Sequence, residues 1–182
     1  IHGCLVGSEM CIRDRHTIAV LVDNEPGVLA RVIGLFAGRG YNIESLTVSE
    51  VDAVKGYSRI TIVTSGTDMV IEQIKALLDR LVPVHMVEDL TLQGPCLERE
   101  LGLVKVVNAG ENRIEALRIA DMFRARAIDS TLNSFVFELT GSPKKLNAFI
   151  ELMSGLGETE ITRGGVVAMA RGSGIGLRNA KS

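Results

Sequence analysis

Apolar and polar positions along this chain switch period again and again, from continuous to helical to alternating. "TIAVLV" at 17–22 is a short β-branched run and predicts a buried strand. After Asn24, Pro26 and Gly27, residues Leu29, Val32, Ile33 and Phe36 recur at helical spacing and predict one amphipathic helix. "GRG" at 38–40 stops it, because glycine is favoured just past a last apolar turn. "YNIESLTVSE" and "YSRITIVTS" predict two strands about a Lys55-Gly56 turn. Val70, Ile71, Ile74, Leu77, Leu78 and Leu81 mark a second helix, broken before Pro83, and "VHMVEDLTLQ" closes the unit as a strand. The order is β-α-β-β-α-β, the ferredoxin-like split arrangement.

The same order then returns. "LGLVKVVNA" predicts a strand, and Ile114, Leu117, Ala120 and Phe123 a less cleanly patterned helix. "RAIDSTLNSFVFELTG" predicts two strands about Leu132-Asn133. Leu146, Phe149, Ile150 and Met153 follow in a helix with Ser142 as its cap and Pro143 in its first turn. "ETEITRGGVVAMARG" supplies the last strand. Gly-Pro and a cluster of charges in "GPCLERE", 94–100, interrupt the pattern and place the boundary. The expected fold is therefore α+β, two ferredoxin-like βαββαβ domains in tandem over 15–94 and 95–173. Residues 1–14 lack either period and read as a non-native or disordered arm, and 174–182 as a flexible Gly-rich tail.

Composition narrows the function. A net charge of −2 gives no electrostatic reason to expect nucleic acid or an anionic membrane. No apolar run approaches a bilayer-spanning length. Cys4, Cys11 and Cys96 form an odd set without metal-type spacing, which fits a reduced, cytoplasmic setting better than a disulfide scaffold.

A search for catalytic chemistry finds little. His2, His16 and His85 are scattered, none at ligand spacing with cysteine or another histidine, so no metal site is expected. His85 alternates with apolar neighbours and is expected to face solvent from its strand. "RGSGIG" at 171–176 resembles part of a phosphate loop but lacks the Lys-Ser/Thr ending and a following helix. No acidic pair and no nucleophile-elbow motif stands out.

The stretch "VDNEPGVLARV", 22–32, is different. A helix beginning near Pro26-Gly27 leaves its first N–H groups without intrahelical partners, and these donors favour a carboxylate. Gly27 has no Cβ, so a ligand could approach the backbone closely. Asn24 offers a carbonyl for an ammonium and an amide for a carboxylate. Val28, Leu29 and Ile43 would form an apolar wall. The set suits a zwitterionic aliphatic amino acid; equally, Asn24 could simply cap the helix while Pro26-Gly27 shapes a turn.

"DNEPGVLARV" resembles the amino-acid-sensing ACT domain, and with "RGYNIESL", "ERELGLVKV" and "RGGVVAMARG" the chain is similar to the small subunit of acetolactate synthase (acetohydroxyacid synthase). The resemblance covers roughly 15–173. It implies a cytoplasmic, non-catalytic regulator with no cofactor of its own, first domain ACT, homodimeric through that domain, binding neither nucleic acid nor membrane. It implies a large catalytic partner that uses thiamine diphosphate, FAD and magnesium, and feedback inhibition by valine. Carried onto this chain, Asn24, Gly27, Val28 and Leu29 would hold valine from one copy, Asn42 and Ile43 from the other. Pro26 would set shape and Ala30 packing beneath the site. The alternative reading is a tandem ACT regulator of a different metabolic enzyme.

Overall fold

β1 (Asp14–Asp23) runs through the middle of the first sheet, which explains its unbroken apolar run. Ile18, Val20 and Val22 face the helices, while Ala19 packs on the opposite side with Leu90 and Ala168. A strand buried on both faces shows no alternation. A computed structural model describes residues 14–94, 96–107 and 110–173 of the chain. It divides into two compact units, one running to Leu97 and resuming at Ala168, the other Glu98–Val167.

In the first unit β2 (Ile43–Asp52), β3 (Tyr57–Gly66), β1 and β4 (Val84–Asp89) form one antiparallel sheet in the order β2-β3-β1-β4. Helices α1 (Val28–Gly38) and α2 (Asp68–Asp79) cover one face, burying Val28, Val32 and Phe36 from α1 and Ile71, Ile74 and Leu78 from α2. Thr67 caps α2 by accepting from the Val70 N–H at 3.2 Å. Past α1, the Tyr41 N–H donates to Phe36 O and turns the chain into β2.

The second unit repeats the plan. β5 (Cys96–Val107), β6 (Arg126–Ser130), β7 (Ser134–Gly141) and β8 (Glu158–Ala170) lie in the order β6-β7-β5-β8. Helices α3 (Arg113–Met122) and α4 (Pro143–Ser154) cover a core that includes Val104, Val106, Phe137, Phe149 and Met153. Ser142 caps α4, accepting from the Lys145 N–H at 3.3 Å, with Pro143 in the first turn as its sequence predicts. The buried Glu100 carboxylate takes both forks of Arg163, Nε at 2.7 Å and Nη2 at 2.6 Å. This bidentate bonding raises the Arg163 pKa above the ordinary arginine value. Both units are ferredoxin-like βαββαβ folds.

Several details depart from the sequence reading. Asp14 opens β1 instead of closing an arm, and the strand predicted over 84–93 ends at Asp89, followed by turns. On α3 Ala120 is buried as expected, but Ile114 and Leu117 are exposed, and Ala116 and Ile119 are buried in their place. The buried face of the helix thus runs through Ala116, Ile119 and Ala120, one step round from the face the apolar spacing marks. His2, Cys4, Cys11, the rest of residues 1–13 and the 174–182 tail lie outside the described residues. Among the described residues no helix is long and apolar enough to cross a membrane.

Candidate functional site

The β1 to α1 connection is held at its base by backbone bonds. The Asp23 N–H donates to Pro83 O at 2.9 Å and the Asn24 N–H to Gly56 O at 2.7 Å. His85 Nε2 pairs with Asp23 Oδ1 at 2.6 Å, and its ring lies 4.6 Å from that of Tyr57. His85 is therefore not the solvent-facing residue its alternation predicts; it is half-buried and braces the residue before Asn24. Asp23 and His85 sit on neighbouring ends of β1 and β4, which the local pattern of β4 alone does not reveal.

The helix starts at Val28, one step later than expected, with Gly27 as its N-cap at φ 85°. That conformation is left-handed and favours glycine. Asn24 is not the cap: no side chain among the described residues caps α1, and its first turn carries no acid. The Arg31 N–H reaches Gly27 O at 3.1 Å and the Val28 N–H reaches Glu25 O at a long 3.4 Å. The Leu29 and Ala30 N–H groups find no acceptor among the described residues. Asn24, Gly27 and Leu29 are exposed. Val28 is not: its side chain belongs to the core, so only its backbone faces the helix start. Ala30 is likewise exposed and packs nothing beneath the turn.

Asn42 and Ile43 lie elsewhere. They form the approach to β2, where Ile43 pairs with Thr64 and Thr64 pairs with His16 at the start of β1. The helix start follows Asp23, at the other end of the same strand. About seven residues of β1 separate the two ends, roughly 24 Å at the usual strand rise. Asn24, Gly27 and Leu29 thus form one exposed group; exposed Asn42 and half-buried Ile43, which packs against the core, form another, and a single copy does not bring them together. Asn42 itself is exposed, but its carbonyl accepts from Thr64 Oγ1 at 2.6 Å. The sequence reading missed Thr64. Its signal was a polar residue within an apolar strand, at 0% exposure.

Among the described residues no group of three or more His, Cys, Asp or Glu stands close enough to hold a metal ion. A buried His16–Asp89 pair, Nδ1 to Oδ2 at 2.8 Å, joins the start of β1 to the end of β4.

Comparison with known proteins decides the family. A family model described as "AHAS small subunit-like ACT domain" matches residues 18–86, and one described as "Small subunit of acetolactate synthase" matches 99–172. The chain belongs to the acetolactate synthase small-subunit family. It is 47% identical over 159 residues to a probable acetolactate synthase small subunit of Archaeoglobus fulgidus, covering 87% of this chain and 98% of that one. It is 44% identical over 162 residues to the acetolactate synthase isozyme 3 small subunit of Escherichia coli, covering 88% and 98%. The crystal structure of the acetolactate synthase small subunit from Thermotoga maritima matches with a TM-score of 0.78 at 39% identity, over 88% of this chain and 99% of that one. Within the small-subunit family fold, the exposed helix start belongs to the ACT domain.

Proposed function

We propose that this chain is a non-catalytic regulatory subunit that activates an acetolactate synthase catalytic subunit and makes it sensitive to valine. The observation that carries this reading is the open start of α1. A helix N-terminus without a side-chain cap among the described residues and with no acid in its first turn, headed by a glycine whose added Cβ would meet nothing within 4 Å, suits a carboxylate. The exposed Asn24 beside it supplies both polar partners that a free amino acid needs. Leu29 adds an exposed apolar surface for a branched side chain.

Asn42 and Ile43 complete the site from a second copy, because in one copy they stand at the far end of the sheet. Such a site couples binding to assembly: valine favours whichever arrangement of two copies closes around it, and that preference is what can alter a partner's activity. The sensing role falls to residues 15–94. Residues 95–173 lack the Asn-Glu-Pro-Gly arrangement at their first helix and serve the complex instead. Cofactor chemistry rests with the catalytic subunit, in the cytoplasm, within branched-chain amino acid biosynthesis.

The test is a pair of activity titrations. Purified chain alone is expected to make no acetolactate, to stimulate a family catalytic subunit, and to confer inhibition by millimolar valine. Turnover by the chain alone, or no effect on the catalytic subunit, refutes the proposal.

A further inference from the structure

Asn42 is fixed on every side but one. Before it, Tyr41 packs edge-on to Phe36 at 6.5 Å, and its hydroxyl donates to Gln73 Oε1 at 3.2 Å. Behind it, β2 does not begin in regular register: Ile43 pairs with Thr64 and Ser45 with Val63, leaving Glu44 as an extra residue in a bulge. Bulges of this kind re-aim neighbouring side chains. This one is tied down from β3 and β1. Thr64 Oγ1 donates to the Asn42 carbonyl at 2.6 Å, Ser65 Oγ donates to Glu44 Oε1, and Arg15 Nε lies 3.7 Å from Glu44 Oε2. The one free part of Asn42 is its carboxamide, exposed and without a partner among the described residues.

We infer that Thr64 is a positioning residue for effector binding: its hydroxyl and the Glu44 bulge together aim Asn42 toward the helix start of a second copy. The inference rests on the effector reading above and deepens it. Thr64 is fully buried in the helix-facing side of β3, so it never touches the ligand. It acts through the Asn42 backbone. A methyl in place of that hydroxyl frees the Asn42 carbonyl and lets the carboxamide wander, while the apolar volume at Thr64 is nearly kept.

The experiment compares Thr64→Val with Thr64→Ser by calorimetric titration of the full-length chain with L-valine, with thermal midpoints measured alongside. Valine keeps the volume and loses the hydrogen bond; serine keeps the hydrogen bond and loses a methyl. Loss of one such bond predicts a roughly two- to tenfold weaker affinity in Thr64→Val. Thr64→Ser is expected to bind as the wild type does, although it is the variant that loses packing. Glu44→Ala, at the exposed side of the bulge, provides a second route and is also expected to weaken binding. A wild type that binds valine while Thr64→Val and Glu44→Ala keep full affinity overturns the positioning role alone. Equal weakening in Thr64→Val and Thr64→Ser, tracking their thermal midpoints, also overturns it, since that is plain structural damage. A wild type that binds no valine overturns the effector reading, and this inference with it.

Discussion

Gly27 serves two demands that one substitution cannot separate. Its φ of 85° is strained for any residue with a side chain, and its position heads the uncapped helix α1. A variant with Asp there would be expected to destabilise the chain by about 1 kcal/mol for backbone reasons alone, whatever it does to a ligand. Asn has the same shape and the same tolerance of left-handed backbone, but no charge. We therefore expect Gly27→Asn and Gly27→Asp to lose stability similarly in urea titrations. Removing charge-assisted hydrogen bonds predicts a roughly 10- to 150-fold loss of valine affinity in Gly27→Asp, with a clearly smaller loss in Gly27→Asn. Equal losses by calorimetry would make the backbone conformation, and not the site of negative charge, the decisive property. The sequence showed the residue types of this turn, because Asn, Pro and Gly have local preferences. It did not show the sign of φ at Gly27 or the partner of Thr64. The first depends on how β1 hands over to α1, the second on two strands meeting across the sheet.

At the scale of elements, local chemistry marks ends well where a side chain forms the cap. Ser142 and Pro143 announce α4 by residue type alone. The end of α3 carries no such announcement. The Ala125 N–H donates to Ala120 O at 2.8 Å and the Arg124 N–H to Asp121 O at 3.0 Å, the pattern of a Schellman stop. Its left-handed residue, usually glycine, is here Arg124 at φ 57°. Nothing in "FRAR" signals that conformation, and helical periodicity in α3 is blurred by outward-facing Ile114 and Leu117. Both helices are nonetheless legible, because strand patterns flank each one. Relief of the strain at Arg124 makes Arg124→Gly a stabilising change. We expect a gain of about 0.5–1 kcal/mol in urea unfolding, with no change in valine affinity, because Arg124 lies in the second unit. A loss of stability would show that the greater freedom of glycine in the unfolded chain outweighs the strain.

For the whole molecule, the decisive matter is whether the two groups of site residues join across copies. The repeated βαββαβ order was legible as a period in the sequence, but their separation along β1 emerges only once strand pairing is known. Subunit complementation reads that geometry directly. Asn24→Ala damages the group at the helix start, and Asn42→Ala damages the group at β2; each homogeneous protein should bind valine weakly at every site. Now let the two variants be mixed, unfolded and refolded together. In a two-fold dimer whose sites each combine both groups, a mixed pair holds one doubly damaged site and one intact site. With random pairing about half the dimers are mixed, so about one site in four regains full affinity. Calorimetry of the mixture should show a tight component at roughly that stoichiometry, absent from either variant alone. A site built within one copy cannot be repaired this way, because every chain in the mixture carries a lesion of its own. A mixture that binds only as weakly as its components, with mixed dimers confirmed by mass, would confine the effector to one copy. Asn42 and Ile43 would then have no part in it.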